Sequence, residues 1–202
     1  MTAQLTEDAR RAAILDAAAQ LIAERGYHSV RVSDIASLVG ISTGAVHYYF
    51  PTKGDVLTAA LRHVVDRTLE RQRHELRKID NAHERLLKLI DMQLPRVGPM
   101  RDEWSIWIQF WTEATLRPEL RPIHNTFYAD WHETVVRIVE RGQHQGIFHS
   151  NVDPETIAHR LTALIDGVAI QVLMGAPNMT VSAMKEILVQ FVQATLILPR
   201  DR

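Results

Sequence analysis

The chain of 202 residues has no cysteine, which excludes disulfides, thiolate nucleophiles and cysteine-ligated zinc, and makes a reducing cytoplasm its simplest home. It also lacks any apolar run approaching the roughly 18 to 20 residues a bilayer span requires, so no membrane partner is expected. The opening residues MTAQLTEDARR have no apolar stretch of the secretory kind. Neither sign of charge is in excess: 23 Lys and Arg against 24 Asp and Glu leave a net charge of −1. Composition therefore neither favours nor excludes a nucleic-acid partner. The N-terminal stretch is no different, because Arg10, Arg11, Arg25, Arg31 and Lys53 face Glu7, Asp8, Asp16, Glu24 and Asp34. Internal repeats, low-complexity tracts and alternating strand patterns are missing. So are the common catalytic signatures: no P-loop, no Gly-rich dinucleotide turn, no GxSxG, and no HExxH, since His132 and Glu133 lack the second histidine. His144 and His149 flank Gly146 in a loop and read as solvated. No cofactor and no metal site is expected, and the chain reads as a non-enzyme.

What remains is a chain of helices, and the fold class expected is all-α. Hydrophobic residues make up 46%, enough for a packed core. Thr6 can cap a first helix with Glu7 and Asp8 in its first turn, and Gly26 is its natural stop. Residues 27–32 connect it to a short helix at 34–39, capped by Ser33 and ended by Gly40. Ser42 or Thr43 opens another, which runs to Tyr49 or Phe50. Pro51 breaks the chain, and Thr52 can cap a long helix at about 53–79 whose second half, 67–78, is almost entirely polar and reads as bridging two bodies across solvent. Further helices are expected at about 84–94, 103–116, 119–145, 155–174 and 182–198, with Asp153 and Pro154 as cap and first-turn residue of the penultimate one.

The informative stretch is VSDIASLVGISTGAVHYYFPTK, residues 32–53. Two short helices joined across Gly40-Ile41-Ser42 make a helix-turn-helix. Ile35, Ala36 and Val39 can pack against Ile41, Val46 and Phe50, which leaves Thr43, Gly44, His47 and Tyr48 on the outer face. Such a helix fits the major groove of B-DNA. Thr43 can bond a phosphate or a base edge, Gly44 lets the backbone approach the groove floor, His47 suits a base edge, and Tyr48 a phosphate or a thymine methyl. Ser42 and Ala45 belong to the same reading surface. Ser33 and Lys53, each at the start of a helix, are placed to clamp the DNA backbone, and helix N-termini themselves attract phosphate. Tyr49 reads better as a half-buried brace than as a base reader.

This segment resembles the TetR family of bacterial repressors, in its small-residue turn, its STGAVHYYF and its PTK; the likeness is close over about residues 7–57. The resemblance implies an N-terminal three-helix DNA-binding domain at residues 1–53 and a C-terminal helical ligand-binding and dimerisation domain at 54–202. It carries the family's recognition-helix contacts to Thr43, Gly44, His47 and Tyr48, and its phosphate contacts to Ser33, Tyr49 and Lys53. It also implies double-stranded DNA with a palindromic operator as one partner, a small-molecule effector as another, and a homodimer, cytoplasmic and on the nucleoid when bound. The stretches WIQFW and LIDGVAIQ are similar to the branch that includes the choline-responsive betaine-pathway repressors.

In the C-terminal half, Trp104, Trp107 and Trp111 share one helix face with Phe110 beside them, and Trp131 follows on the next helix. They can form an aromatic box to which Glu113, Asp91 or Glu133 adds negative charge, suiting a cationic ligand; an aromatic stripe is equally what a helical core requires. Ala158, Leu161, Ile165, Val168 and Val172 (with Ala169) form one apolar stripe, and Met184, Leu188 and Phe191 (with Leu198) another. Both are expected to form a dimer interface, the alternative being that a single chain buries them internally. Three other readings stay open: an activator on the same fold, a helical adaptor whose helix-turn-helix serves protein contacts, and an all-helical metal-dependent enzyme.

Overall fold

The computed structural model describes residues 6–197; Leu198 of the second stripe lies outside them. Among the described residues the chain is all-α, with helices α1 (Glu7–Arg25), α2 (Val32–Val39), α3 (Thr43–Tyr49), α4 (Lys53–Leu76), α5 (Ala82–Asp91), α6 (Pro99–Leu116), α7 (Arg121–His144), α8 (Pro154–Leu173) and α9 (Val181–Leu196). Single 3-10 turns lie at Tyr27–Ser29 and Pro118–Leu120. An isolated antiparallel bridge joins Phe148 to Ile197.

The helix starts follow from their caps. The Thr6 hydroxyl accepts from Ala9 N, Ser42 from Ala45 N, Asp153 from Thr156 N and Thr180 from Ala183 N. Thr52 and Asp55 bond each other's backbone N–H, which launches α4 directly after Pro51. One expected cap is different: α2 begins a residue earlier, at Val32, where the Asp34 carboxylate accepts from Arg31 N. Ser33 is therefore an exposed first-turn residue rather than a cap.

The chain forms two compact units. Among the described residues, one comprises those up to Thr68 together with Asp102–His124; the other comprises Leu69–Arg101 together with those from Asn125 on. Residues 6–53 lie within the first unit, which also takes in the start of α4 and most of α6. Its core is built from Ile14, Ala18 and Ile22 of α1, Ile35 of α2, Val46 of α3, Phe50, and Val56, Leu57 and Ala60 of α4.

The second unit's core comes from α5, α7, α8 and α9, including Leu86, Leu89, Val135, Val139, Leu161, Ile165, Met184 and Leu188. Side-chain bonds set the antiparallel register of α7 on α8: the Tyr128 hydroxyl donates to Asp166 Oδ2 at 2.7 Å and the Trp131 indole N–H to Thr162 Oγ1 at 2.8 Å. At the end of α7, Arg141 and Gln145 both donate to the Asp80 carbonyl, and Gln145 Oε1 accepts from Ala82 N, which ties α5 down at its start.

Three expectations are corrected here. The second half of α4 is not wrapped in solvent: Thr68, Leu69, Gln72 and Leu76 are buried, so a polar pattern hid an inward face. Second, α8 is long and apolar enough, by length and composition, to cross a membrane, although no such run was expected. Its side chains Ile157, Leu161, Ile165 and Val168 are used in the unit's own core. Third, that same use takes up most of the expected dimer stripe within the chain itself, the internal alternative. Ala158, Leu161, Ile165, Val168, Met184 and Leu188 are at most 6% exposed in the single chain, with Val172 and Phe191 half-buried, so the stripe faces inward.

The loop after α7 packs by close approach. Phe148 is buried against Gly142, where an added Cβ would stand 2.0 Å from the Phe148 ring. Gly142→Ala is therefore expected to cost about 3 kcal/mol, and to lower the melting temperature by roughly 6–12 °C for a chain of this size. Thermal denaturation checks it; an unchanged midpoint would refute the packing described.

Candidate nucleic-acid interface and sensor site

Gly40 ends α2 in the left-handed region, at φ +75°. The Ile41 N–H reaches back to the Ala36 carbonyl at 2.9 Å, closing the turn between α2 and α3. Only the glycine accepts that backbone without strain. Ile35, Ala36, Val46 and Phe50 are buried around the turn, with Val39 and Ile41 half-buried, as the periodicity required.

The opposite face of α3 is open. Ser42, Thr43, Gly44 and His47 are exposed, Ala45 is half-buried at the edge, and Tyr48 is 76% exposed. Tyr49 is half-buried, and its ring meets Tyr48 edge to face with centroids 5.1 Å apart, so it braces the exposed phenol. His47 Nδ1 lies 3.1 Å from the Pro51 carbonyl. A carbonyl only accepts, so Nδ1 carries the proton, and in the neutral ring Nε2 presents a lone pair outward. Ser33 and Lys53 are both exposed, and the Lys53 ammonium donates to the His28 carbonyl at 2.8 Å, keeping two further donors.

Helix α6 is built on two rows. Trp104, Trp107 and Trp111 form one; Trp104 and Trp111 meet edge to face at 6.1 Å, and Trp107 meets Phe110 at 5.8 Å. Gln109 and Glu113 lie about half a turn away around the helix, and they grip the segment after α1. The Gln109 amide donates to the Ile22 carbonyl at 3.0 Å and accepts from Tyr27 N at 2.6 Å. Glu113, buried, pairs with His28 Nε2 at 2.6 Å and Arg117 Nε at 3.1 Å. The Arg117 guanidinium also lies over the Tyr27 ring.

The carboxylates expected to serve a cation are already engaged. Besides Glu113, Asp91 binds Arg96 at 2.5 Å and Lys185 at 3.3 Å, and the Arg96 guanidinium holds its carboxyl below the usual carboxylate range. Glu133 pairs with Arg137. Glu103, not singled out from the sequence, is half-buried on α6 one turn before Trp107 and accepts from the Thr68 hydroxyl at 3.4 Å; its spacing from Trp107 and Phe110 was the available signal. Trp131 stands in the second unit with its indole bonded to Thr162. Gln72, also in that unit, is buried, and neither of its amide atoms has a hydrogen-bond partner among the described residues.

A helix-turn-helix with an open second helix, followed by an all-helical unit, defines a DNA-binding transcriptional regulator. Comparison with known proteins gives the same class. Residues 14–60 match the family of bacterial regulatory proteins of the tetR type, and residues 82–197 match the BetI-type transcriptional repressor C-terminal family. The chain is 28% identical over 171 residues to the HTH-type transcriptional regulator BetI of Brucella suis, covering 84% of this chain and 83% of that one. It is 23% identical over 198 residues to the regulator PksA of Bacillus subtilis, covering 98% and 95%. A transcriptional regulator from Saccharomonospora viridis, solved in complex with choline, superposes with a TM-score of 0.89 at 45% identity, covering 96% of this chain and 100% of that one. The chain belongs to the TetR family of ligand-responsive, DNA-binding transcriptional regulators, with a C-terminal half of the BetI type.

Proposed function

We propose that the chain is a repressor that holds a palindromic operator as a homodimer and leaves it when a small quaternary ammonium compound, choline or a close relative, meets the aromatic row of α6. The observation that carries this reading is the double use of α6: aromatic faces suited to a cation lie on one side, and the grip on the Ile22–His28 segment on the other. The S. viridis regulator, 45% identical, supports the ligand class. Trp104, Trp107, Phe110 and Trp111 supply the cation–π faces, each contributing about 0.5–2 kcal/mol, and Glu103 the nearby charge. Trp131 carries no part of this reading. Occupation of the row shifts α6, and the Gln109 and Glu113 contacts pass that shift to the reading head.

On DNA, Thr43, Gly44, His47 and Tyr48 face the base edges, with Ser42 and Ala45 at the rim, Tyr49 as brace, and Ser33 and Lys53 on phosphates. The outward lone pair of His47 Nε2 suits an amino donor, adenine N6 or cytosine N4. Two reading heads roughly 34–36 Å apart match half-sites one turn apart. The protein works in the cytoplasm, on the nucleoid when bound.

The dimer face moves to the outer side of α8. Ala163, Gly167, Ile170 and Met174 are all exposed at successive turns, Ile170 by 37% and Met174 by 69%, and Gln190 and Ala194 of α9 are exposed as well. The small residues that begin the row, Ala163 and Gly167, let a partner helix approach closely.

Three outcomes test the reading. Tyr48→Ala is expected to weaken operator binding by about 1–3 kcal/mol with unchanged melting, and Lys53→Ala to lower the salt slope by about 1 with only the small loss of stability that its exposed bond to the His28 carbonyl carries; fluorescence anisotropy across a salt series reads them, and a large loss of folding would make these residues structural. Choline is expected to quench tryptophan emission and release the operator. Gln109→Ala should keep the quenching and blunt the release; no response to choline by a DNA-competent protein would sink the ligand class. Ile170→Glu and Met174→Glu are expected to give folded monomers by light scattering, and persisting dimers would place the interface elsewhere.

A further inference from the structure

Away from the reading head and the aromatic row, three donor side chains meet on the α7–α8 seam. His132 Nε2 lies 2.9 Å from His159 Nδ1, and His132 Nδ1 lies 3.2 Å from Glu155 Oε2. One ligand atom from each of the three lies within 4.8 Å of the other two. We propose that His132, Glu155 and His159 form a binding site for one divalent transition-metal ion of the zinc or nickel class.

The placement is built into the fold. Glu155 and His159 are four residues apart on α8 and so share a face. His132 comes from α7, and its position opposite His159 is fixed by the next contacts along the same seam, Trp131 on Thr162 and Tyr128 on Asp166. The donors are thus held by two helices whose register is set independently of them.

The donor chemistry selects the ion. Two imidazole nitrogens and one carboxylate oxygen suit zinc, nickel or copper, whereas calcium and magnesium require oxygen-only shells. Three protein ligands leave at least one position to water. With metal–nitrogen bonds of about 2.0–2.1 Å, two nitrogens of a tetrahedral site stand roughly 3.3 Å apart. The pair at 2.9 Å must open by a few tenths of an ångström, which His159, exposed at the rim, can accommodate. The Nδ1 of His159 also lies 2.9 Å from the Glu155 carbonyl, to which it donates its proton. Coordination through Nδ1 moves that proton to Nε2, so a neutral ring binds with no net change in charge.

No linear spacing announces this site, since His132 and His159 are 27 residues apart on different helices. With no cysteine in the chain, thiolates cannot compete for the ion.

The test uses the full chain, dialysed against micromolar zinc chloride and assayed for bound metal, with cobalt chloride as spectroscopic probe. Expected are one zinc per chain, a zinc-dependent rise in melting temperature, and the visible d–d absorption of cobalt in a low-symmetry nitrogen–oxygen shell. His159→Gln and Glu155→Gln, both at exposed positions, should keep native circular dichroism while weakening metal binding at least about tenfold. His144→Gln and His149→Gln should leave it unchanged. Absence of bound zinc in the native chain, or undiminished affinity in His159→Gln, would overturn the proposal.

Discussion

At the end of α1 the backbone runs out of partners, and a side chain from another helix supplies them. Gly26 breaks the helix at φ +86°, and the Tyr27 N–H, turned out of the helical ladder, finds Gln109 Oε1 at 2.6 Å. The other end of the same amide donates to the Ile22 carbonyl, which already accepts from Gly26 N. Only a side chain with donor and acceptor on one planar group can serve both sides of the break. Glutamate would lose the donor, and asparagine is a methylene short. A Cβ at position 26 would make only an ordinary contact, 3.6 Å from Gln109 Oε1, so the glycine is required by its torsion and not by space. The identity of the first unit, with α6 joined to the DNA-reading helices, depends on this joint.

The neighbouring Glu113 shows the same priority of position over raw stability. Its carboxylate is buried, facing His28 on one side and Arg117 on the other. Desolvating such a charge offsets most of what the pairing returns, so a buried ion pair contributes little net free energy. What it does fix is geometry. His28 also lends its carbonyl to Lys53 at the start of α4, so one short turn, Tyr27–Ser29, is held from α6 and from α4 together.

How far the sequence reveals this depends on the range of each interaction. The helix-turn-helix is legible because its determinants are local: a left-handed glycine, a serine cap and a 3.6-residue period over two short helices. The outer face of α3 follows from the same period. The inward stripe of α8 and α9 is just as periodic, but a period states only that Leu161 and Leu188 are buried, never whether their own chain or a partner buries them. Polar residues on an inner face, Thr68 and Gln72, read as solvated because hydropathy registers composition rather than direction. The Gln109–Tyr27 joint spans 82 residues and the His132–His159 pair 27, distances at which no motif is visible.

Magnitudes decide whether a switch built on α6 is feasible. Moving a two-state population from one side to the other takes about 5.5 kcal/mol of differential binding. A single aromatic face supplies about 0.5–2 kcal/mol to a cation, so three tryptophans and a phenylalanine together span about 2–8 kcal/mol, a range that contains the required sum where that of one ring does not. The element to be moved must also yield at a comparable cost. Two neutral hydrogen bonds from Gln109, each with a net value of about 0.5–1.5 kcal/mol, fall below that sum, whereas the close-packed core behind Ile14, Ile35 and Val46 does not. In the proposed switch, ligand energy delivered to α6 would displace the joint and leave the helix-turn-helix intact, so the reading head would change where it points without unfolding.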